Sequence, residues 1–481
     1  MACKTSVKRL VVLLVAVAFV GGCIRPVGPD YEPPELVTND QWHQSLVVGM
    51  DSGEADYQTW WETLDDPQLN SLIERAALQN LDLRVAAERI NEARALLGIA
   101  AGERLPDVDA VGSAGRQQLS DGVLGAPAGG PESATSVGVG ATWEFDLWGR
   151  VARSVEAAEA GYEASIENYR DVEVVLFADI GSNYVELRKL QQQLRFANEN
   201  VDAQRETLRI VEARYKAELA PMLDLRQAEL NLASTESTRP RLEAAILQTI
   251  NRLSVLLGQM PGSLRAELTP VGPIPGPPEA LAVGIPADLT RRRPDIRRAE
   301  RNLAAQTASI GIATSALYPN FFIDGNFGYA TVGGKLISSE NEAWTLGGFF
   351  SWNLFDGGRV RNAIDVEEAR TGQLLAVYEQ TVLRSLQDVE DSMIRFAEER
   401  NRAEALGRAE AAAVDAVRLV NELYKRGLTD FQNVLDTERA LFVRQDQLAQ
   451  SRGDVTLNLI SIYRALGGGW SASESSLQEP L

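Results

Sequence analysis

The chain is poor in the residues that build metal and redox chemistry. Its 481 residues contain two cysteines, Cys3 and Cys23, and one histidine, His43. That count excludes zinc fingers, haem-attachment motifs and disulfide frameworks, and leaves His43 as an ordinary surface or packing residue. Positive charge is also short: 47 Lys and Arg stand against 67 Asp and Glu, a net charge of −20. A surface of that sign repels phosphate, so nucleic acid is not an expected partner. No G-x-S-x-G, P-loop or H-E-x-x-H motif occurs. No catalytic residue, metal ligand or cofactor is therefore assigned, and the chain reads as a non-enzyme. After residue 23 no apolar run approaches 18 residues, which excludes a helical membrane span in that part of the chain. Proline is missing from 132–220 and from 320–479, and its absence permits very long helices. With 45% hydrophobic and 24% charged residues the composition is not that of a disordered chain.

The N-terminus has its own signature. Lys4, Lys8 and Arg9 precede an apolar run from Leu10 to Val20, and Gly21, Gly22 and Cys23 follow. A basic region, a short apolar core and a small-residue exit describe a secretory signal peptide over 1–22. Val20-Gly21-Gly22-Cys23 resembles a bacterial lipoprotein signal, which implies that Cys23 becomes the lipidated first residue. Ile24, in place of an Asp that would hold such a lipoprotein at the inner membrane, implies sorting to the outer membrane. Removing 1–22 takes away three positive charges and no acid, leaving −23.

The remainder is a tandem repeat. Trp143-Glu144-Phe145-Asp146-Leu147-Trp148-Gly149-Arg150-Val151 matches Trp352-Asn353-Leu354-Phe355-Asp356-Gly357-Gly358-Arg359-Val360 at an offset of 209. The same offset pairs Tyr215-Lys216 with Tyr424-Lys425, Glu229 with Glu438, and Leu257-Gly258 with Leu466-Gly467. Upstream, Asp82, Gly98-Ile99-Ala100 and Pro106 pair with Asp295, Gly311-Ile312-Ala313 and Pro319 at an offset of 213. The difference falls in a Gly/Pro-rich stretch, 120–131, as expected of a loop tip. Residues 63–258 form the first repeat and 291–467 the second. Residues 23–62 form an extended N-terminal segment, 259–290 a linker and 468–481 a tail. The stretch 261–294 holds 8 of the 20 prolines.

Each repeat reads as helix, hairpin, long helix, helix. The first has a hairpin near 106–146, a long helix near 150–215 and a helix over 222–258. The second has a hairpin near 319–356, a long helix near 359–426 and a helix over 430–466. Leu187, Leu190, Leu194, Ala197, Val201, Gln204, Leu208, Val211 and Tyr215 follow a 3-4 spacing, a coiled-coil seam with Gln204 its one polar member. In the hairpins apolar and small or polar residues alternate. Val108, Ala110 and Gly112 share a face, as do Val137, Val139, Ala141, Trp143 and Phe145; Phe321, Ile323, Gly325, Phe327 and Tyr329; and Leu346, Gly348, Phe350, Trp352 and Leu354. Asp107, Asp109, Asp324 and Asn326 fall on the opposite face. Nine of the 35 residues in 321–355 are aromatic, which suits the interfacial girdles of a transmembrane barrel. Trp143, Phe145, Phe321, Phe327, Tyr329, Phe350 and Trp352 are the barrel aromatic candidates. Four strands cannot close a barrel, and open edges in lipid leave backbone groups unpaired. Several chains must share one wall, and twelve strands from a homotrimer leave a lumen that eight would fill. The fold class expected is an α+β membrane protein: long antiparallel coiled-coil helices in tandem repeat, with four transmembrane β-strands per chain.

These residues resemble the TolC-like outer-membrane efflux factor family, in its lipoprotein branch, over essentially the whole mature chain. The resemblance is carried by Asp66-Pro67-Gln68-Leu69-Asn70-Ser71-Leu72-Ile73, Asn80-Leu81-Asp82-Leu83 and Trp143-Glu144-Phe145-Asp146-Leu147-Trp148-Gly149. Arg292-Arg293-Pro294-Asp295-Ile296, Tyr318-Pro319 and Tyr424-x-x-Gly427 running into Val434-Leu435-Asp436 add to it. It implies a trimeric 12-stranded barrel that continues into a periplasmic tunnel of helices, lipid-anchored in the outer membrane of a Gram-negative bacterium. It implies a passive exit duct for drugs and other small molecules, recruited by a periplasmic adaptor (membrane fusion) protein and an inner-membrane transporter of the RND type. The family closes its tunnel with acidic and polar side chains after the Tyr-x-x-Gly turn. Asp436 matches that acidic position, Arg439 lies one helical turn further, and Asn433 stands where some members carry a second Asp. In the first repeat Glu218 replaces the turn glycine and Pro221 sits at the bend. Two other readings stay open: the same duct serving a type I protein-secretion or metal-efflux system, and a structural periplasmic coiled-coil lipoprotein. The Arg291-Arg292-Arg293 run reads as a solvated turn with internal acidic partners, and Trp60-Trp61 as packing for the N-terminal segment.

Overall fold

A computed structural model of the chain describes residues 25–34, 41–43, 50–51, 57–117, 132–278, 281–283, 286, 289–332 and 335–470. The signal peptide 1–22, Cys23, the loop 120–131 and most of the tail lie outside the described residues. Two short strands, β1 (Met50–Asp51) and β4 (Leu281–Ala282), pair in parallel. The first repeat holds α1 (Pro67–Gln79), α2 (Leu81–Gly102), β2 (Asp107–Gln117), β3 (Glu132–Phe145), α3 (Arg150–Lys216), α4 (Met222–Glu236) and α5 (Thr238–Leu256). A single turn, α6 (Arg265–Leu268), lies in the linker. The second repeat holds α7 (Leu289–Arg292), α8 (Pro294–Ser315), β5 (Asn320–Val332), β6 (Glu342–Ser351), α9 (Arg359–Lys425) and α10 (Phe431–Ala465).

Local sequence explains the boundaries. Asp66 caps α1: its Oδ1 accepts from Gln68 N at 3.0 Å and Leu69 N at 3.1 Å, and Pro67 fills the first helical position. Asn80 ends α1 and starts α2. Its Oδ1 accepts from Asp82 N at 2.8 Å while its Nδ2 donates to Leu256 O at 2.8 Å. The reading of 222–258 as one helix is corrected, because α4 and α5 part at Ser237. Pro240 has no N–H for the carbonyl of Glu236 and its ring crowds that oxygen, so the helix restarts. The linker carries one helical turn, α6, and the short strand β4.

Among the described residues the contacts divide the chain into two compact units, one within the ranges 1–35, 89–166 and 298–378 and the other within 36–88, 167–297 and 379–481. The sheet belongs to the first. Its order is β2-β3-β5-β6, antiparallel throughout, so the hairpins of the two repeats join along β3 and β5. Residues 26–31 are fastened to the same unit. Val27 N donates to Trp148 O at 3.0 Å, and the buried Arg153 donates to Val27 O, Gly28 O and Asp30 Oδ1. Tyr31 donates its hydroxyl to Glu300 Oε1 at 3.0 Å.

The second unit is built on the seam of α3, where Leu187, Ala197, Val201, Gln204 and Val211 are buried. Trp60 and Trp61 are packing residues: Trp60 stacks on Tyr463 at 5.3 Å, and Trp61 meets Phe177 edge-on at 5.1 Å. The proline-rich linker carries backbone carbonyls without helical partners, and side chains supply the donors. Arg188 donates to Pro270 O, Gln191 to Leu268 O and Thr456 to Pro275 O, each within 2.8 Å. Arg293 corrects the picture of a solvated basic turn. Its side chain is only 12% exposed, pairs with Asp295 and Asp388, and donates to Ala465 O at 2.9 Å. His43 is exposed, and its backbone N–H donates to Glu390 Oε1.

Candidate functional site

Two regions carry functional geometry, and each stands on its own. The first is the sheet. Register places Ala141, Gly325 and Leu346 in one row across β3, β5 and β6, and Val139, Phe327 and Trp344 in the next. Val108 and Ala110 extend those rows into β2. All the apolar alternates of the four strands therefore share one face. That face is uncovered in the single chain: Leu346 is 73% exposed, Trp344 70% and Phe350 65%. Phe327 and Trp352 are exposed too, while Trp143, Phe145, Phe321 and Tyr329 are half-buried by neighbouring rings. The other face carries Asp107, Thr142, Asp324 and Gly347 in one row and Asp109, Gly140, Asn326 and Thr345 in the next, with Phe322 and Phe349 stacked at 5.1 Å beside Glu144 at its end. The indoles at the end of the sheet repeat each other: Trp143 donates to Arg104 O at 3.0 Å, and Trp352 to Leu317 O at 3.0 Å. A buried or interfacial indole needs such an acceptor.

The second region is where the helical hairpins α3/α4 and α9/α10 turn. Val211, Leu225, Ala228, Tyr424, Phe431, Val434 and Leu435 form one buried cluster from both repeats. Arg214 ties the hairpins together, donating to Tyr424 O at 2.8 Å with its guanidinium over the Tyr424 ring at 4.7 Å. Burial raises the Asp224 carboxyl above its usual range, and the neighbouring Asp430 adds to the rise while Arg214 opposes it.

The gate candidates all lie on the first turns of α10 and are exposed. Asp436 accepts from Gln432 Nε2 at 2.9 Å, and Asn433 donates to Thr429 Oγ1 at 2.9 Å. Arg439 reaches to α4 instead, where its Nε donates to Asn231 Oδ1 at 3.1 Å. Sequence reasoning gave no role to Glu438, Thr207 or Asn231, which meet behind the gate candidates; the polar Gln204 in the apolar seam was the available signal. Among the described residues, no group of three or more His, Cys, Asp and Glu is arranged to hold a metal ion. No helix is long and apolar enough to cross a membrane, again among those residues.

Comparison with known proteins agrees with this architecture. The family model described as outer membrane efflux protein matches residues 72–259 and 285–468, one match per repeat. Nodulation protein T of Rhizobium leguminosarum bv. trifolii is 30% identical over 94% of this chain and 95% of its own length. The toluene efflux pump outer membrane protein TtgI of Pseudomonas putida is 29% identical over 96% of this chain and 98% of its own. The solved structure of the outer-membrane channel OprN, 34% identical, superposes with a TM-score of 0.86, covering 92% of this chain and 99% of that one. Matched by the family model in both repeats, the chain belongs to the outer membrane efflux protein family.

Proposed function

We propose that three copies of this chain close a 12-stranded barrel in the outer membrane and form the exit duct of a tripartite efflux system. The observation that carries this reading is the sheet itself. One chain supplies four strands, a continuous exposed apolar face and two edge strands, β2 and β6, that pair with nothing further in the described chain. In lipid, unpaired strand edges cost several kcal/mol per group, so the edges must be met by other copies. The apolar face then meets acyl chains, and the face bearing Asp107, Asp109, Asp324 and Asn326 lines a wet lumen. Cys23 carries the lipid, and residues 26–31 hold the segment that follows it against the sheet unit. The long helices form the periplasmic tunnel, and Asp436, repeated three times about the axis, makes a negative ring at its end. Energy comes from an inner-membrane transporter of the RND type through a periplasmic adaptor, because the duct has no catalytic machinery of its own. Drugs and other small molecules are the cargo.

The test is the mature lipoprotein purified in detergent. Native mass measurement gives three copies, and planar lipid bilayers doped with the protein carry discrete current steps. A monomer that conducts nothing overturns the proposal.

A further inference from the structure

Just behind the apolar cluster where the hairpins turn, α10 meets α3 and α4 through polar groups. Glu438, on α10, is 4% exposed. Its Oε1 accepts from Thr207 Oγ1 on α3 at 2.6 Å, and its Oε2 accepts from Asn231 Nδ2 on α4 at 3.3 Å. Asn231 in turn accepts from Arg439, which follows Glu438 on α10. About two helical turns back along the seam, Asn200 on α3 donates to Gln445 on α10 at 2.6 Å. Between these two links Gln204 is 3% exposed, and its Oε1 has no partner among the described residues. The stretch is thus a polar layer between the apolar turn cluster and the apolar part of the seam.

This layer differs from apolar packing in one respect. Apolar contacts weaken gradually as helices slide, whereas hydrogen bonds to a buried carboxylate are either made or lost. The repeat makes the layer specific to one hairpin. Glu229, the counterpart of Glu438, is half-buried and pairs within its own helix with Arg226 at 2.7 Å. Only the second-repeat carboxylate joins three helices. All five side chains of the hub and its neighbour link, Glu438, Thr207, Asn231, Asn200 and Gln445, are already buried within one chain. Assembly can only bury them further, so they do not line the lumen.

We infer that the Glu438–Thr207–Asn231 hub is a latch that holds α10 on α3 and α4 and so positions the gate-bearing turns of α10 in the closed arrangement. This rests on the channel reading, and it assigns to residues outside the lumen a positioning role in opening. Releasing the latch frees Asn433, Asp436 and Arg439 to move together, since they share the first turns of α10.

Thr207→Val in the full-length lipoprotein tests this, because it removes the donor and keeps the shape. Two readouts are taken: hydrogen exchange of amides in 426–440 in detergent, and resting conductance in planar bilayers. The latch predicts about tenfold faster exchange confined to that segment, and a larger resting conductance. The triple variant Thr207→Val, Asn231→Leu, Glu438→Leu replaces the hub by apolar groups and returns both readouts toward those of the unaltered protein. Exchange and conductance both unmoved by Thr207→Val in a conducting protein overturn the latch. Exchange that quickens in a protein carrying no current in any variant supports the latch and overturns the channel reading instead.

Discussion

Glu218 stands where Gly427 stands in the other repeat, and the two residues end their helices in the same way. Each follows a helix of 67 residues, and each adopts a left-handed backbone, with φ of 58° at Glu218 and 72° at Gly427. The closing hydrogen bonds also match. Glu218 N donates to Tyr215 O and Leu219 N to Arg214 O; Gly427 N donates to Tyr424 O and Leu428 N to Leu423 O, all at 2.8 to 2.9 Å. This is the Schellman arrangement, which glycine adopts without steric penalty and a side chain does not.

Glu218→Gly therefore relieves strain at a turn that already has the right geometry. The expected gain is roughly 1 kcal/mol, offset in part by the greater freedom of glycine in the unfolded chain. Denaturant titration of the detergent-solubilised protein checks it. A loss of stability would show that the Glu218 side chain contributes more than the left-handed backbone costs.

The two faces of the sheet call for opposite tolerances. Leu346 and Thr345 are adjacent in β6 and point to opposite sides. In the proposed barrel Leu346→Arg places a charge toward lipid, at about 2–4 kcal/mol near the bilayer midplane. It abolishes the heat-resistant oligomer on gels, while Thr345→Arg retains it. Equal behaviour of the two variants rules out the face assignment.

The segment after Cys23 is seated by three glycines, Gly28, Gly149 and Gly311. Gly28 has φ of 90°, and a Cβ there would lie 2.5 Å from the Gly311 Cα. Gly28→Ala meets both a disfavoured backbone and a backbone clash, so residues 26–31 detach from Arg153 and Glu300. Hydrogen exchange of 25–34 reports this as a local loss of protection, with the strands unaffected. Protection retained in the variant would show that the seat adapts.

Asp436 acts through charge in the proposed gate, not through packing, since it is exposed and bonded only to Gln432 one turn away. Asp436→Ala, alone or with Arg439→Ala, raises resting single-channel conductance. In the single variant, hydrogen exchange of the turn stays as it was. Closed-state conductance that does not change removes Asp436 from the gate.

Glu173 supplies a pH dependence. Burial pushes its carboxyl from a usual 4.5 up to about 7, with Arg170 and the Tyr169 hydroxyl holding it down in part. Between those values the folded chain keeps a proton that the unfolded chain has lost. Stability from this group is thus greatest at low pH and is lost as pH rises from 4.5 to about 7. Glu173→Gln removes the dependence, so its melting temperature exceeds that of the unaltered protein by more at about pH 8 than at about pH 5. A constant difference across that range excludes Glu173 as its source.

Much of this molecule is legible in one sequence because its signals are long and repeated. Two proline-free stretches, an apolar seam at 3-4 spacing and period-2 alternation in four segments fix helices and strands, since side-chain direction follows directly from those periods. The offset between repeats locates both hairpins, both long helices and both turns. Break points depend on single residues such as Asn80 and Pro240, and the longer patterns hide them. Hubs built from residues far apart in the chain are invisible to periodicity altogether. Glu438 and Glu229 are the same letter at matching places, yet one is buried among three helices and the other pairs within its own.

By its order of residues alone, then, the chain determines what each segment is and which side of it is apolar, because those properties are local. Only the folded molecule decides which carboxylate is sequestered, which arginine reaches across to Tyr424 and which glycine admits the N-terminal segment. Those outcomes depend on where distant backbones come to lie, and desolvation and hydrogen-bond geometry act on positions in space.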